Sequence, residues 1–277
     1  MLLPEGFVFS QTSLQDYCDC QRRFQLRYLE HRVWPAPQTA DALESERRMR
    51  LGHSFHRLMR QAYSGLAPAA LDAVARAEPE LALWWRNHQA APPQDLPSGL
   101  REAELTLAVG LGAQRLEARY DLLAGEPGGR WEIVDWKTAP RRTPPWVLRE
   151  RLQTRIYPWV LVQAGSTLNG GVPIAAGQVE MLYWFAEFPA QPERFPYSAE
   201  QAEADGAFLQ KLLDEIRARP PDAFAKIDER KRCKFCAYRS LCWQDVQVGR
   251  WVDLGEEEQA EVDVEELDLD AVAPIPY

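Results

Sequence analysis

The chain has 277 residues, 46% of them hydrophobic, which is long and apolar enough for one principal core and excludes disorder throughout. No run of about 18 apolar residues occurs, and the start MLLPEGFVFSQ lacks the basic and apolar regions of a cleavable leader, so a cytoplasmic protein with no membrane partner is expected. The net charge of −9 is concentrated: ten acids lie between Asp253 and Asp270 with no Lys or Arg among them, and removing them from the 41 acids leaves 31 against 32 bases. Acidity therefore belongs to a tail at 251–277 and does not exclude a nucleic-acid partner for residues 1–250.

Taken in chain order, FSQTSLQDYCDCQRRFQLRYL places Leu14, Tyr17, Phe24 and Tyr28 at helical spacing after a Thr12/Ser13 cap region, with Arg22, Arg23 and Arg27 on its basic face. ERRMRLGHSFHRLMRQAY predicts a second helix, with Met49, Phe55, Leu58 and Met59 as its apolar side and His56 at its middle. A helical insert is expected at about 60–97, rich in Ala and Pro and carrying Trp84 and Trp85. The texture then becomes short β-like runs, AELTLAVGL, AQRLEARYDLLA and RWEIVDWKTA, separated by Gly112 and by GEPGG. PPWVLRERLQTRIYPWVLVQAG reads as one helix, VEMLYWFAEF as a strand, and AEQAEADGAFLQKLLDEIRAR as an amphipathic helix. The order gives an α/β domain.

Chemistry concentrates in the second and third strands. Alternate residues of a strand share a face, so Asp135 and Lys137 of VDWKT point together while Val134 and Trp136 face the other way. The turn at GEPGG folds Asp121 of RYDLL back toward Asp135, so two carboxylates and an ammonium converge. Hydrolysis of a phosphodiester needs a hard divalent ion to polarise the phosphate and acidify water, and carboxylates bind Mg²⁺ or Mn²⁺. An isolated Asp-x-Lys is most often a surface ion pair of little consequence. Here Ile133 and Val134 precede it, as in a strand entering a core, and an acid lies one hairpin away.

Those residues, with others in a fixed order, resemble the PD-(D/E)XK nucleases of the RecB-like branch, and within it the iron-sulfur group that includes the CRISPR-associated exonuclease related to RecB. The resemblance spans most of residues 8 to 245. It runs through Ser10, Thr12, Leu14, Tyr17 and Cys20 before QRRF, where Gln21 replaces a usual proline; Gly52 with His56; Asp121, with Ala118 where glycine is common; Asp135 and Lys137; and Gln153 with Tyr157 on one helical face. It implies a restriction-endonuclease-like core with a mixed central sheet flanked by helices. His56, Asp121 and Asp135 would be metal ligands and Lys137 the electrostatic partner, with Gln153 and Tyr157 in support. An acid before the Asp motif corresponds to Glu104, with Glu102 an open alternative two residues earlier. The implied activity is Mg²⁺- or Mn²⁺-dependent hydrolysis of DNA, as an exonuclease on single-stranded or unwound ends in repair, recombination or CRISPR adaptation, with a helicase or CRISPR adaptation proteins as partners. The alternative is a nucleic-acid-binding iron-sulfur subunit of a larger helicase-nuclease complex.

Five cysteines, two early and three late, suit metal or cluster ligation better than disulfides. The spacing of Cys233, Cys236 and Cys242 leaves zinc and an iron-sulfur cluster both open. The resemblance implies a [4Fe-4S] cluster held by Cys20, Cys233, Cys236 and Cys242, in a lobe joining the two ends of the chain, with Cys18 left over. Arg230, Lys231, Arg232, Lys234 and Arg239, interleaved with Phe235 and Tyr238, could line a path for single-stranded DNA or form a solvated rim.

Overall fold

The computed structural model describes residues 3, 4, 6–32, 40–228, 230–234 and 236–243. The acidic segment at 251–277, Phe235 and the side chains of Arg230 and Lys231 lie outside what is described. The chain begins with β1 (Val8–Phe9), α1 (Gln11–Asp19) and α2 (Gln21–Phe24), which runs on into one π-helical turn at Gln25–Leu29. Ser10 caps α1, its hydroxyl accepting from the Ser13 N–H while Ser13 returns the bond to the Ser10 N–H. The cap thus falls just before the expected Thr12/Ser13, because Ser10 is the residue that still has extended backbone.

Three helices follow: α3 (Ala40–Tyr63), α4 (Pro68–Ala75) and α5 (Pro79–Ala90), the last two each opened by a proline at the first helical position. Then come β2 (Leu100–Leu111), β3 (Gln114–Gly125) and β4 (Trp131–Lys137), an antiparallel meander. The expected single helix after β4 is two, α6 (Pro145–Glu150) and α7 (Leu152–Ala164), because Arg151 takes an extended ψ of 138° between them. The chain returns as β5 (Val179–Phe185) and β6 (Glu193–Pro196), and ends in α8 (Ala199–Ala218), α9 (Arg230–Cys233) and α10 (Arg239–Cys242).

The six strands among the described residues join one mixed sheet in the order β1-β3-β4-β5-β6, with β2 along the remaining edge of β3. β4 and β5 are parallel, which requires the crossover supplied by α6 and α7. Gly125, where β3 turns toward β4, has no room for a side chain: a Cβ there would lie 2.1 Å from the Trp131 ring.

Each sheet face buries its own core. Leu14, Leu123, Ile133, Ile156, Val160, Tyr183 and Leu213 form one, under α1, α7 and α8. The other sets Val134, Trp136, Leu182 and Trp184 against Leu51, Phe55, Leu58 and Met59 of α3 and Trp84 and Trp85 of α5. Leu51, rather than Met49, completes the buried side of α3. Each such side chain contributes roughly 1.5–3 kcal/mol by leaving water. The insert is also pinned by polar bonds, Asn87 Nδ2 to the Ala186 carbonyl at 2.7 Å and Trp184 Nε1 to that of Ala91 at 3.0 Å. No helix among the described residues is long and apolar enough to cross a membrane.

Candidate active site

The site lies where β3 and β4 separate. Their ladder ends at Leu122 and Val134, which puts Asp121 level with Asp135 one residue beyond the last pair. Asp121 Oδ2 accepts the Trp136 backbone N–H at 2.9 Å, and its other oxygen meets Nδ1 of His56 on α3 at 3.2 Å. Opposite Asp121 on β2 stands Glu104, with a left-handed φ of 58°, and these two are the pair the ladder between β2 and β3 skips. Leu116, Ala118 and Tyr120 of β3 face one core, yet so does Leu123, while Leu122 faces the other. Strand alternation therefore slips by one residue at Asp121, beside the left-handed Glu104.

One donor atom from each of His56, Glu104 and Asp121 lies within 4.8 Å of the others, a spacing that could hold a metal ion. Of the two candidate acids, Glu104 joins this group; Glu102 is exposed. Asp135 does not belong to it. Its Oδ2 is 2.8 Å from Lys137 Nζ, Oδ1 accepts from Gln153 Nε2, and Gln153 Oε1 accepts from Lys137 Nζ at 3.0 Å. This second triad is nearly closed to solvent, with Lys137 and Asp135 side chains 7% and 5% exposed. The Lys137 ammonium also sits 5.2 Å from the centre of the Tyr183 ring. Tyr157, one turn beyond Gln153 on α7, packs edge-on against Tyr120 and accepts the Tyr120 hydroxyl on its carbonyl at 3.1 Å.

The two groups feel each other. Burial pushes the His56 imidazole down, but the charge and hydrogen bond of Asp121, with Asp135 and Glu104 behind, raise it to about 9. Burial would raise the Asp121 carboxyl; His56, the Trp136 N–H and Lys137 reverse this and hold it below the usual range. Glu104 is held above that range by burial and the charge of Asp121, against Arg119, His56 and Arg60. A cationic imidazole thus faces Asp121 and Glu104, and a divalent cation bound by the same three groups would require the ring to give up its proton. Arg119, 2.8 Å from Glu104 Oε2, is a site neighbour that sequence reasoning missed; its place two residues before Asp121 was the available signal.

Elsewhere, the N-terminal helices dock on residues 221–238. The Arg22 N–H donates to the Ala225 carbonyl at 3.0 Å, Gln25 Nε2 to that of Pro221 at 2.8 Å, and the Tyr238 hydroxyl to that of Arg32 at 2.9 Å. Burial pushes the Cys236 thiol up to about 11, with Cys20 and Cys233 close enough to add to the effect, and Cys242 is raised by burial and by Cys20. Cys18 is exposed. Among the described residues no three cysteine sulfurs lie within 4.8 Å of one another. Buried Arg239 has an Nη2 with no hydrogen-bond partner there, and Cys236 is the group whose charge supports it. An anionic four-thiolate site would suit that buried cation.

A family model for the PD-(D/E)XK nuclease superfamily matches residues 8–243. The chain belongs to that superfamily, whose members hydrolyse nucleic acids with divalent metals. Among solved structures, SSO0001 is 13% identical over 87% of each chain with a TM-score of 0.39. A protein from Eubacterium rectale assigned as an exonuclease is 9% identical over 76% of this chain and 80% of its own, with a TM-score of 0.45. Comparison with curated protein sequences gave no match.

Proposed function

We propose that the chain is a DNA nuclease of the RecB-like branch, an exonuclease on single-stranded or unwound ends that works with Mg²⁺ or Mn²⁺ in repair, recombination or CRISPR adaptation. The observation that carries the reading is the pairing of two groups, the His56, Glu104 and Asp121 donors beside the Lys137 ammonium fixed by Asp135 and Gln153. His56, Glu104 and Asp121 would hold the ion, with Asp135 at their side. When bound it supplies Lewis-acid polarisation of the phosphodiester and a more acidic water. Lys137, with two acceptors holding it in place, presents positive charge where charge develops on the phosphate oxygens. Arg50, Arg57 and Arg60, exposed on α3 and making no salt bridge among the described residues, form a row with His53 on the side of the helix away from Leu51, Phe55 and Leu58. The charge of Arg60 reaches Glu104, so this row leads to the metal group and offers a track for a phosphate backbone.

The cysteines would hold a [4Fe-4S] cluster through Cys20, Cys233, Cys236 and Cys242. The docked N-terminal helices and the buried Arg239 support a four-thiolate site. The choice of iron rests on the family resemblance.

The test is anaerobic purification, analysis for iron and sulfide against zinc, and assay of wild type and Lys137→Ala on end-labelled single- and double-stranded DNA with each metal. Wild type should cut and the variant should lose roughly 10²–10³-fold. Equal activity of the two would reject the assignment of Lys137.

A further inference from the structure

We propose that Trp146 is a stacking platform for an unpaired base of single-stranded nucleic acid, on the helix that follows the strand of Lys137. The indole is 60% exposed, the only aromatic side chain among the exposed large hydrophobic residues described, whereas Trp84, Trp131, Trp136 and Trp184 are buried to 1% or less. Lone exposed apolar residues are ordinary, so exposure by itself carries little. Its mounting, position and electrostatic setting carry the inference.

The mounting is rigid. Pro144 and Pro145 fix the backbone on one side, and Val147 and Leu148 are buried on the other. A side chain held this way loses little conformational freedom on binding, and indole has only two rotatable bonds to order.

The position is set by the catalytic elements. Trp146 lies on α6 between Lys137 of β4 and Gln153 of α7. The Leu148 carbonyl accepts the Thr154 hydroxyl, which lies 2.6 Å from the Tyr183 hydroxyl, and the Tyr183 ring underlies Lys137 Nζ. Before the helix, the Arg142 guanidinium sits 5.7 Å from the centre of the Phe185 ring, and Phe185 is the strand partner of Lys137. The platform is thus braced on both sides against the strands that carry the site.

The electrostatic setting selects the partner. Residues 138–151 hold four arginines, Arg141, Arg142, Arg149 and Arg151, against one acid, Glu150, although Arg142 is ion-paired with Glu193 of β6. Arg149 is exposed three residues after Trp146, on the same side of the helix. An exposed indole beside the exposed Arg149 matches a polyanion with free π-faces, and every unpaired base offers one. In a duplex those faces are covered, which points to a single strand. The proposal rests on the nuclease reading only for what happens to the strand; the binding claim can be tested without cleavage.

The experiment measures anisotropy of labelled oligonucleotides with the full-length protein in the absence of divalent metal, comparing wild type, Trp146→Ala and Trp146→Phe on a base-bearing single strand, an abasic strand of equal length and a closed duplex. Trp146→Ala should weaken binding to the base-bearing strand by roughly 5- to 150-fold, the range of one base–aromatic stack. Trp146→Phe should keep most of the affinity, and binding to the other two ligands should not change. The proposal is overturned if wild type does not bind the single strand, if Trp146→Ala binds it as wild type does, or if it loses abasic and base-bearing strands equally. It also falls if the variant changes only self-association in sedimentation, which would make Trp146 a protein contact. Binding that depends on Trp146 without any cleavage would keep this proposal and reject the nuclease reading. Cleavage by wild type with Trp146 indifferent would do the reverse.

Discussion

Glu104 adopts a backbone conformation that a side-chain-bearing residue rarely takes, in the middle of a twelve-residue strand. Left-handed torsions cost a non-glycine residue about 1–2 kcal/mol, and the position is maintained where it turns a carboxylate toward His56 and Asp121. Glu104→Gln removes the charge and keeps the strain, whereas Glu104→Gly removes both, since glycine takes the torsion freely. Both variants should bind Mn²⁺ less tightly than wild type, yet in thermal melts Glu104→Gly should unfold roughly 2–6 °C above Glu104→Gln. The reverse order of melting would show that the torsion stores no strain. Asp135 and Lys137 could be read from sequence because two residues apart on a strand means one face, and Gln153 with Tyr157 because four apart on a helix means the same. Glu104 could not be separated from Glu102 that way. Their choice depends on one left-handed residue, which the periodicity of side chains does not encode. Asp135, expected among the metal ligands, lies 2.8 Å from Lys137 Nζ through Oδ2 and accepts from Gln153 on Oδ1, and it stays a proposed ligand beside the other three.

Among the elements, α5 couples the insert to the sheet through a buried histidine. His88 is 8% exposed, stacked on Trp85, edge-on to Trp136 and Trp184, and 3.2 Å from the Tyr63 hydroxyl. Burial holds its imidazole down at about 4, so the folded protein keeps it neutral where the unfolded chain, near 6.5, takes up a proton. Its contribution to stability is therefore complete above pH 6.5 and is lost progressively as pH falls toward 4. The difference in unfolding free energy between wild type and His88→Phe should shift against wild type by roughly 3 kcal/mol between pH 7 and pH 4, measured by urea denaturation. A difference independent of pH would mean that His88 titrates alike in the folded and unfolded states. The long elements were legible in sequence, since α3, β2 to β4, β5 and α8 each hold enough residues for a period to register. β1 and β6 were not: two and four residues are too few, and Pro196 removes a ladder donor from an edge strand. The break at Arg151 was equally hidden, because the apolar residues of α6 and α7 continue without a Gly or Pro between them.

For the whole molecule, the N-terminal helices and the segment that follows α8 close over one edge of the core. Tyr17 of α1 donates its hydroxyl to Glu215 of α8 at 2.7 Å and accepts from Arg219, and its ring packs edge-on against Phe24 and Phe224. Cys20 and the late cysteines lie in the same seam, so a metal or cluster bound there would add its binding free energy to folding. The sequence made the closure expected through the cysteines alone. It did not show that Tyr17, Glu215 and Arg219 make a clasp of their own, which joins residues some 200 positions apart. That closure leaves the metal group and the lysine triad at the opening between β3 and β4, and the central claim is that His56, Glu104 and Asp121 bind a divalent ion there. The direct test is Mn²⁺ binding followed by electron paramagnetic resonance, without nucleic acid, in wild type and in Asp121→Asn, which keeps the acceptor for the Trp136 N–H. Wild type should take up Mn²⁺ with an affinity that the variant lowers about tenfold or more. Equal Mn²⁺ binding by the two proteins would contradict the account.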